Sequence, residues 1–343
     1  MKVALFSDLH LGIQGDSDEW HQIAIDWIDT FVKYLEENKI DTVFFLGDWF
    51  NNKVSVTGTT SSVSSLIYDK LKKFKLYIFP GNHDLFYHTK SDISSISYFR
   101  HFENVVYIDT PTDITLDGKV IRLCPWGFNP VEIDGKADYL FGHLEINTFQ
   151  MNSSEHLCED GCKLSDLLKK YGAVYSGHFH KAQARVYSSG TIQYIGNPFQ
   201  INFGEVDDIK GFWILDLATN DARQIINNIS PKFVKVLLSQ LITTDIKELR
   251  GIIKNNFIRL SIDKNITKND LDILTELITL YKPRNLDIDW TDSGFSQNVG
   301  SGNAFQAMEF LPSLLKYIKM LDIDYHKWMI KYMTDTYNKV TTE

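Results

Sequence analysis

The chain has 343 residues, of which 43% are hydrophobic and 13% aromatic, and its net charge is -9. This composition is typical of a globular protein with a full core, it excludes a disordered chain, and the length suffices for about two domains. The acidic balance argues against a nucleic-acid partner, although bound divalent cations would offset carboxylates locally. No apolar run approaches the roughly 20 residues that span a bilayer, and the first strand leaves no room for a signal peptide. We therefore expect a cytoplasmic protein without a membrane segment.

Strand-like apolar runs alternate with helical patterns over the first 220 residues, which indicates a layered α/β sheet. Apolar residues recur at helical spacing over 18–38 and 60–74, so we expect two amphipathic helices whose apolar faces belong to the core. The dipeptides Asp117-Gly118 and Ser189-Gly190 predict hairpins, which makes the sheet mixed. The run Phe212–Leu215 is expected to be its last strand.

A second pattern begins near Pro231 and reads strand, helix, strand, helix, strand. The expected strands are 234–238, 257–262 and 286–288, and the expected helices are 245–254 and 268–280, the second with Thr267 as N-cap. Ser, Gly, Asn and Asp dominate 291–304, which is a linker by composition. Two helical stretches follow it, and we expect them either to fold back or to dock on a partner.

Five short groups of metal-ligand residues each follow an apolar run that is too short for a helix. These runs are Val3–Phe6, Thr42–Leu46, Leu76–Phe79, Tyr139–Phe141 and Ala173–Tyr175. The groups are Asp8-Leu9-His10, Gly47-Asp48, Gly81-Asn82-His83-Asp84, Gly142-His143 and Gly177-His178-Phe179-His180. The runs predict strands of one sheet, with the ligands along a single edge. The glycines would let the backbone turn sharply beside the ions.

These residue types suit the hydrolysis of a phosphodiester by two divalent cations, about 3.5 to 4 Å apart. Asp48 is the natural bridging carboxylate, Asp8 supplies an anionic oxygen and Asn82 an amide oxygen. The imidazoles are those of His10, His143, His178 and His180. Such a mixed nitrogen and oxygen set favours Mn, Fe, Zn or Co over Ca. The three cysteines, an odd count without further zinc ligands, are expected to be free thiols.

The five groups match those of the calcineurin-like metallophosphoesterases. The wider pattern resembles the nuclease subunits of double-strand-break repair complexes, the SbcD type and its bacteriophage relatives, and the segment Tyr194–Glu205 with Lys210-Gly211-Phe212 is similar to theirs. The resemblance implies an α/β (α+β) fold, a four-layer sandwich of two mixed β-sheets flanked by helices. It also implies a small α+β capping domain and C-terminal helices.

The resemblance further implies the roles of the site residues. One metal would be held by Asp8, His10, Asp48 and His180. The other would be held by Asp48, Asn82, His143 and His178. His83 would be the general acid for the leaving 3′ oxygen, and Asp84 would orient it or, alternatively, would be a helix N-cap. We expect two Mn²⁺ ions, with Mg²⁺ as the alternative.

The expected domains are a nuclease domain (1–229), a DNA-binding capping domain (230–290), a linker (291–304) and a helical partner-binding element (305–343). The resemblance implies a 3′-5′ double-strand exonuclease and single-strand or hairpin endonuclease, acting on DNA as a homodimer in recombination and double-strand-break repair. The helical element would bind a coiled-coil, SMC-like ATPase. The location would be the host cytoplasm if the chain is phage-encoded.

Two alternative functions stay open, and the sequence departs from the nuclease pattern at one position. The same fold would serve a phosphatase or cyclic-nucleotide phosphodiesterase that acts on a small molecule or protein, or a scaffold without chemistry. The scaffold is disfavoured because every ligand position is present. Many of the nucleases have a His three residues after the bridging Asp, where this chain has Asn51, which bears on the balance of exonuclease and endonuclease activity.

Overall fold

The computed structural model of the chain describes residues 1–87, 90–151, 156–264 and 266–289. Contacts divide the chain into two units, Met1–Pro231 and Lys232–Glu343. The predicted linker and terminal helices, 291–304 and 305–343, lie outside the described residues. No helix in the described ranges is both long enough and apolar enough to cross a bilayer.

The first unit alternates strands and helices along its described residues. Its strands are β1 (Lys2–Phe6), β2 (Thr42–Phe45), β3 (Lys75–Ile78), β4 (Leu85–Tyr87), β5 (Lys90–Ser94), β6 (Val105–Tyr107), β7 (Thr112–Leu116), β8 (Lys119–Cys124), β9 (Ala137–His143), β10 (Tyr171–Gly177), β11 (Gln183–Tyr187), β12 (Gly190–Tyr194), β13 (Gly211–Asp216) and β14 (Asp221–Ile226). Its helices are the short α1 (Ile13–Asp16), α2 (Asp18–Glu37), α3 (Gly58–Leu71) and α4 (Leu164–Leu167). Single 3₁₀ turns lie at 97–101 and 203–205.

These strands form two six-stranded mixed sheets and one small hairpin, β4-β5. The order in the first sheet is β14-β13-β1-β2-β3-β6, where β1, β2, β3 and β6 are parallel. The order in the second sheet is β11-β12-β10-β9-β8-β7, where β8, β9, β10 and β12 are parallel. The predicted α/β fold of two mixed sheets with flanking helices is confirmed.

The main core lies between the two sheets, because apolar side chains of both enter one buried cluster. The centroid of the Phe141 ring in β9 lies 4.9 Å from that of Phe44 in β2 and 5.8 Å from that of Tyr175 in β10. On the outer face of the first sheet, Trp27 and Phe31 of α2 pack on Phe6. Because this packing holds the two sheets against each other, the ends of their strands lie at fixed positions relative to one another.

Helix α2 begins where its sequence predicts. The side chain of Ser17 accepts a hydrogen bond from the Trp20 amide, and two acidic residues occupy the first turn, where their charges interact favourably with the helix dipole.

The predicted hairpin at Asp117-Gly118 is confirmed, with φ of 52° and 73° at its two central residues, as a type I′ turn requires. The hairpin of β11 and β12 is also confirmed, although its turn is Ser188-Ser189, one residue earlier than predicted, and Gly190 begins β12.

Two expectations about the strands are wrong. The five strands before the ligand groups do not share a sheet: β1, β2 and β3 lie in the first, and β9 and β10 lie in the second. Hydrophobic patterns identify strands but not their pairing partners. The last strand of the first sheet is β14, which follows the expected β13. It lies at the edge of the sheet, and none of its residues is buried.

The second unit is a small βαβαβ arrangement. Its elements are β15 (Phe233–Leu237), α5 (Leu238–Leu241), α6 (Ile246–Ile253), β16 (Phe257–Ser261), α7 (Lys268–Tyr281) and β17 (Asn285–Asp289). The three strands are parallel in the order β15-β16-β17, and apolar residues of strands and helices form a separate core. The expected Thr267 N-cap is confirmed, and Asp270 completes a capping box with it.

Two aromatic residues, one between the sheets and one at the surface, test how much the packing between the sheets contributes to the free energy of unfolding. We expect Phe141→Ala to lower the free energy of unfolding by about 3–5 kcal/mol, because it leaves a cavity between the sheets. Tyr187→Ala, on edge strand β11 at 47% exposure, should change it by less than about 0.5 kcal/mol. Urea denaturation measures both, and equal losses in the two variants would contradict this account of the core.

Candidate metal centre

The predicted ligand groups meet at one end of the two-sheet sandwich. Asp8, Asp48 and Asn82 follow β1, β2 and β3 of the first sheet, while His143 and His178 lie at the ends of β9 and β10 of the second. The structure brings the seven expected ligands together from both sheets. They are Asp8, His10, Asp48, Asn82, His143, His178 and His180.

Several ligands sit in backbone conformations that non-glycine residues rarely adopt. The φ angle is 55° at Asp8, 47° at His10, 61° at Asp48 and 91° at His178. Such conformations cost of order 1–3 kcal/mol each and concentrate at functional sites. The chain therefore turns abruptly at these four residues, and this turn directs their side chains toward the centre.

The glycines beside the ligands leave room where chain segments cross. A Cβ at Gly177 would collide with the Ser7 hydroxyl and the Leu46 carbonyl, and one at Gly81 would collide with the Asp48 carboxylate. Neither glycine has a left-handed φ, whereas Gly47 does, at 93°. Close approach, rather than a sharp turn, is what Gly81 and Gly177 provide.

Asp84 anchors the turn that carries Asp48. Its buried carboxylate accepts hydrogen bonds from the backbone amides of Asp48 (2.9 Å), Trp49 (3.1 Å), Phe50 (3.1 Å) and Gly81 (3.0 Å). This corrects the two readings of Asp84, since it neither bonds the His83 ring nor caps a helix, and strand β4 follows it. Its carboxylate accepts from backbone amides as an N-cap does, but three of the four belong to the distant segment after β2.

Two overlapping ligand groups share Asp48. In the first, Nε2 of His10 lies 3.0 Å from Nε2 of His180, 3.8 Å from Asp48 Oδ2 and 4.0 Å from Asp8 Oδ1. Asp8, His10 and His180 lie close enough to hold one ion. Facing imidazole nitrogens, beside two carboxylates, are the donor set of a transition-metal site.

The second group surrounds the amide oxygen of Asn82. This Oδ1 lies 3.0 Å from Nε2 of His143 and 2.9 Å from Nδ1 of His178. His143 Nε2 is 3.3 Å from Asp48 Oδ2, which makes Asp48 the residue common to both groups. The donors present therefore fit divalent metal ions, with Asp48 common to both groups.

The outward nitrogen of three ligand imidazoles is held by another group. Nδ1 of His143 donates to the Leu46 carbonyl at 2.7 Å, and Nδ1 of His180 lies 2.8 Å from Glu205 Oε1. Nε2 of His178 lies 3.5 Å from Glu145 Oε1. Metal-binding histidines commonly carry such a partner, which fixes the tautomer that leaves the inward nitrogen free to bind. The ligand patterns in the sequence do not include these two glutamates.

Electrostatics couple the ligands to one another. Burial alone would lower the pKa of His143, but the neighbouring Asp48 carboxylate outweighs it and raises the pKa to about 9. Burial lowers the pKa of His10 well below its usual value. Burial and the Asp48 charge raise the pKa of Asp84 to about 7, against its backbone hydrogen bonds. The negative charge of Asp48 is thus balanced by a proton on His143, and a bound metal ion would displace that proton.

His83 lies beside both groups. Its Nδ1–H donates to the Asn51 carbonyl at 2.8 Å, and its ring meets that of His10 edge-on at 4.8 Å between centroids. Its backbone amide donates to Asp48 Oδ1 at 2.8 Å. His10, Asp48 and His83 also lie close enough to share an ion.

A further aromatic residue, Trp126, packs on the ligand His178, with 4.8 Å between the ring centroids. It is half-buried, and the ligand patterns in the sequence do not include it.

Replacing the Asp84 carboxylate tests its anchoring of the Asp48 turn. We expect Asp84→Asn to lower the free energy of unfolding by about 1–3 kcal/mol, because the new amide group faces backbone donors that it cannot satisfy. Mn²⁺ affinity should fall as well, since Asp48 loses its fixed orientation. Urea denaturation and titration calorimetry measure these effects. Asp109→Asn, at an exposed ion pair with Arg100, is the control. Unchanged Mn²⁺ binding in Asp84→Asn would show that Asp84 does not orient Asp48.

A family model described as calcineurin-like phosphoesterase matches residues 1–182. Exonuclease subunit 1 of Enterobacteria phage T4 is 33% identical over 241 residues, which cover 66% of this chain and 68% of that protein.

Three solved structures each align with 66% of this chain. An archaeal phosphodiesterase matches over 100% of its own chain with 13% identity and a TM-score of 0.38. A hypothetical protein of Pyrococcus horikoshii matches over 87% of its chain with 11% identity and a TM-score of 0.39. A Vps29 variant of Entamoeba histolytica matches over 100% of its chain with 12% identity and a TM-score of 0.34. By the family match and the phage relative, the chain belongs to the calcineurin-like phosphoesterase family.

Proposed function

We propose that the chain is a metal-dependent DNA nuclease that hydrolyses phosphodiesters with two divalent ions, Mn²⁺ in preference to Mg²⁺. The observation that carries this proposal is the position of His83. It stands beside the shared Asp48 and the His10 ring, while its Nδ1 is already occupied by the Asn51 carbonyl. Nε2 is then the nitrogen available to a reacting oxygen.

The chain's own residues divide the work of the reaction. Asp8, His10, Asp48 and His180 would hold one ion, and Asp48, Asn82, His143 and His178 the other. When bound, such a pair of ions activates water and offsets the charge of the phosphate. His83 donates the proton at Nε2 to the leaving 3′ oxygen, and the Asn51 carbonyl keeps its ring in place. Asp84 contributes through the Asp48 turn rather than by contact with His83.

DNA as the substrate is supported by the relative and by the second unit. The phage T4 relative is an exonuclease subunit. Lys247 and Arg250 of α6 and Lys254, which follows its last residue, line a groove of about 500 Å³ with Leu280 and Tyr281. None of these three cations has an ion-pair partner among the described residues. Such a stripe is suited to DNA phosphates, although the chain as a whole is acidic.

Defined substrates test the proposed activity directly. We expect the protein to degrade linear duplex DNA from 3′ ends and to cut single-stranded and hairpin DNA, with Mn²⁺ more effective than Mg²⁺ and chelator abolishing both. Hydrolysis of a phosphomonoester and of cyclic nucleotides is measured in parallel. Faster hydrolysis of either than of DNA would replace the proposal with a phosphatase or cyclic-nucleotide phosphodiesterase.

His83→Asn tests the assignment of the general acid. We expect cleavage to fall about 10²–10⁴-fold, because the leaving oxygen is no longer protonated, while two Mn²⁺ ions still bind. Single-turnover cleavage and calorimetric Mn²⁺ titration give the two quantities. The matched control is His101→Asn at an exposed site outside the ligand groups. Normal cleavage by His83→Asn, or loss of an ion, would assign His83 another role.

We further propose that the protein acts in the cytoplasm, a host's if it is phage-encoded, as a homodimer in recombination and double-strand-break repair. Its partner would be a coiled-coil, SMC-like ATPase. Residues 305–343, with apolar positions at helical spacing, would bind that ATPase.

Deleting residues 305–343 tests this partner element. We expect the shortened chain to lose ATPase association in co-purification and to keep metal-dependent cleavage of a simple diester, since the ligands lie in residues 8–180. Association that survives the deletion would place the binding element elsewhere.

A further inference from the structure

A buried polar network encloses His180 from the side opposite the metal centre. Glu205 is 4% exposed, and its Oε1 lies 2.8 Å from Nδ1 of His180. Its Oε2 accepts from Asn197 Nδ2 at 3.1 Å, the Ile201 amide at 3.2 Å and Lys210 Nζ at 3.0 Å. One oxygen of Glu205 therefore serves the histidine, and three donors fix the other.

Lys210 connects the same network to the backbone of His180. Its Nζ donates to the His180 carbonyl at 2.9 Å and lies 3.3 Å from Asp208 Oδ2. The lysine is buried at 5% exposure. His180 is thus held at its ring by Glu205 and at its main chain by Lys210, while Nε2 remains 3.0 Å from Nε2 of His10 in the metal centre.

We infer that Glu205, fixed by Lys210, is a positioning residue for the metal ion at His180. Nδ1–H of His180 donates to the Glu205 carboxylate, which leaves the Nε2 lone pair directed at the ion. A buried ion pair contributes little net stability compared with apolar packing, so stability alone does not account for this one.

The test measures Mn²⁺ binding by calorimetry without DNA; the inference rests on the metal centre of the proposed function. Glu205→Gln should weaken one of the two bound ions about 10–100-fold and leave the other unchanged. Glu205→Asp keeps the charge beside Lys210 but withdraws the carboxylate from His180, and it should weaken the same ion. The matched control is Asp208→Asn, which contacts Lys210 but no predicted ligand, and which should bind both ions within about threefold of wild type.

A double-mutant cycle separates positioning from a general structural role. In a His180→Asn background, Glu205→Gln should cause no further loss of Mn²⁺ affinity, because the residue through which it acts is gone. Additive losses, or wild-type affinity for both ions in Glu205→Gln and Glu205→Asp, would overturn the inference. If the variants give this result but the wild-type protein cuts no DNA, the inference is supported and the proposed nuclease function is contradicted.

Discussion

The centre depends on a single turn of backbone, the one that carries Asp48. The carboxylate of Asp48 faces ligands from both sheets only because the residue adopts a left-handed conformation at the end of β2. That conformation is unfavourable on its own, and three amides of this turn, all bound to Asp84, offset its cost. Asp84 itself comes from the turn after β3, so neighbouring parallel strands stabilise each other's ends.

The sandwich explains how residues distant in sequence become one donor set. The first sheet supplies the carboxylates, the amide oxygen and His10, while the second supplies His143, His178 and His180. Each sheet alone has an incomplete set. The apolar layer between the sheets, with Phe44 and Phe141 in contact, therefore sets the distances between ligands as well as the stability of the fold.

Local patterns in the sequence identify most strands, the capped helices and the ligand residues, because each depends on neighbours only a few residues away. The pairing of strands depends on contacts across the whole chain, and the division of β1 and β9 between two sheets was therefore not predictable from their composition. The same holds for Asp84, three of whose four amide partners lie about 35 residues earlier, and for Glu205. An acidic residue outside a ligand pattern has no local sign of its role. Only the resemblance at Tyr194–Glu205 marked that region.

The contact between His83 and the carbonyl of Asn51 has a consequence for variation at that position. A backbone oxygen is present whatever amino acid occupies the position, so the orientation of the His83 ring does not depend on the side chain at residue 51. Asparagine or histidine at position 51 would offer the same carbonyl to His83, so an exchange of one for the other would keep the hydrogen bond that orients its ring.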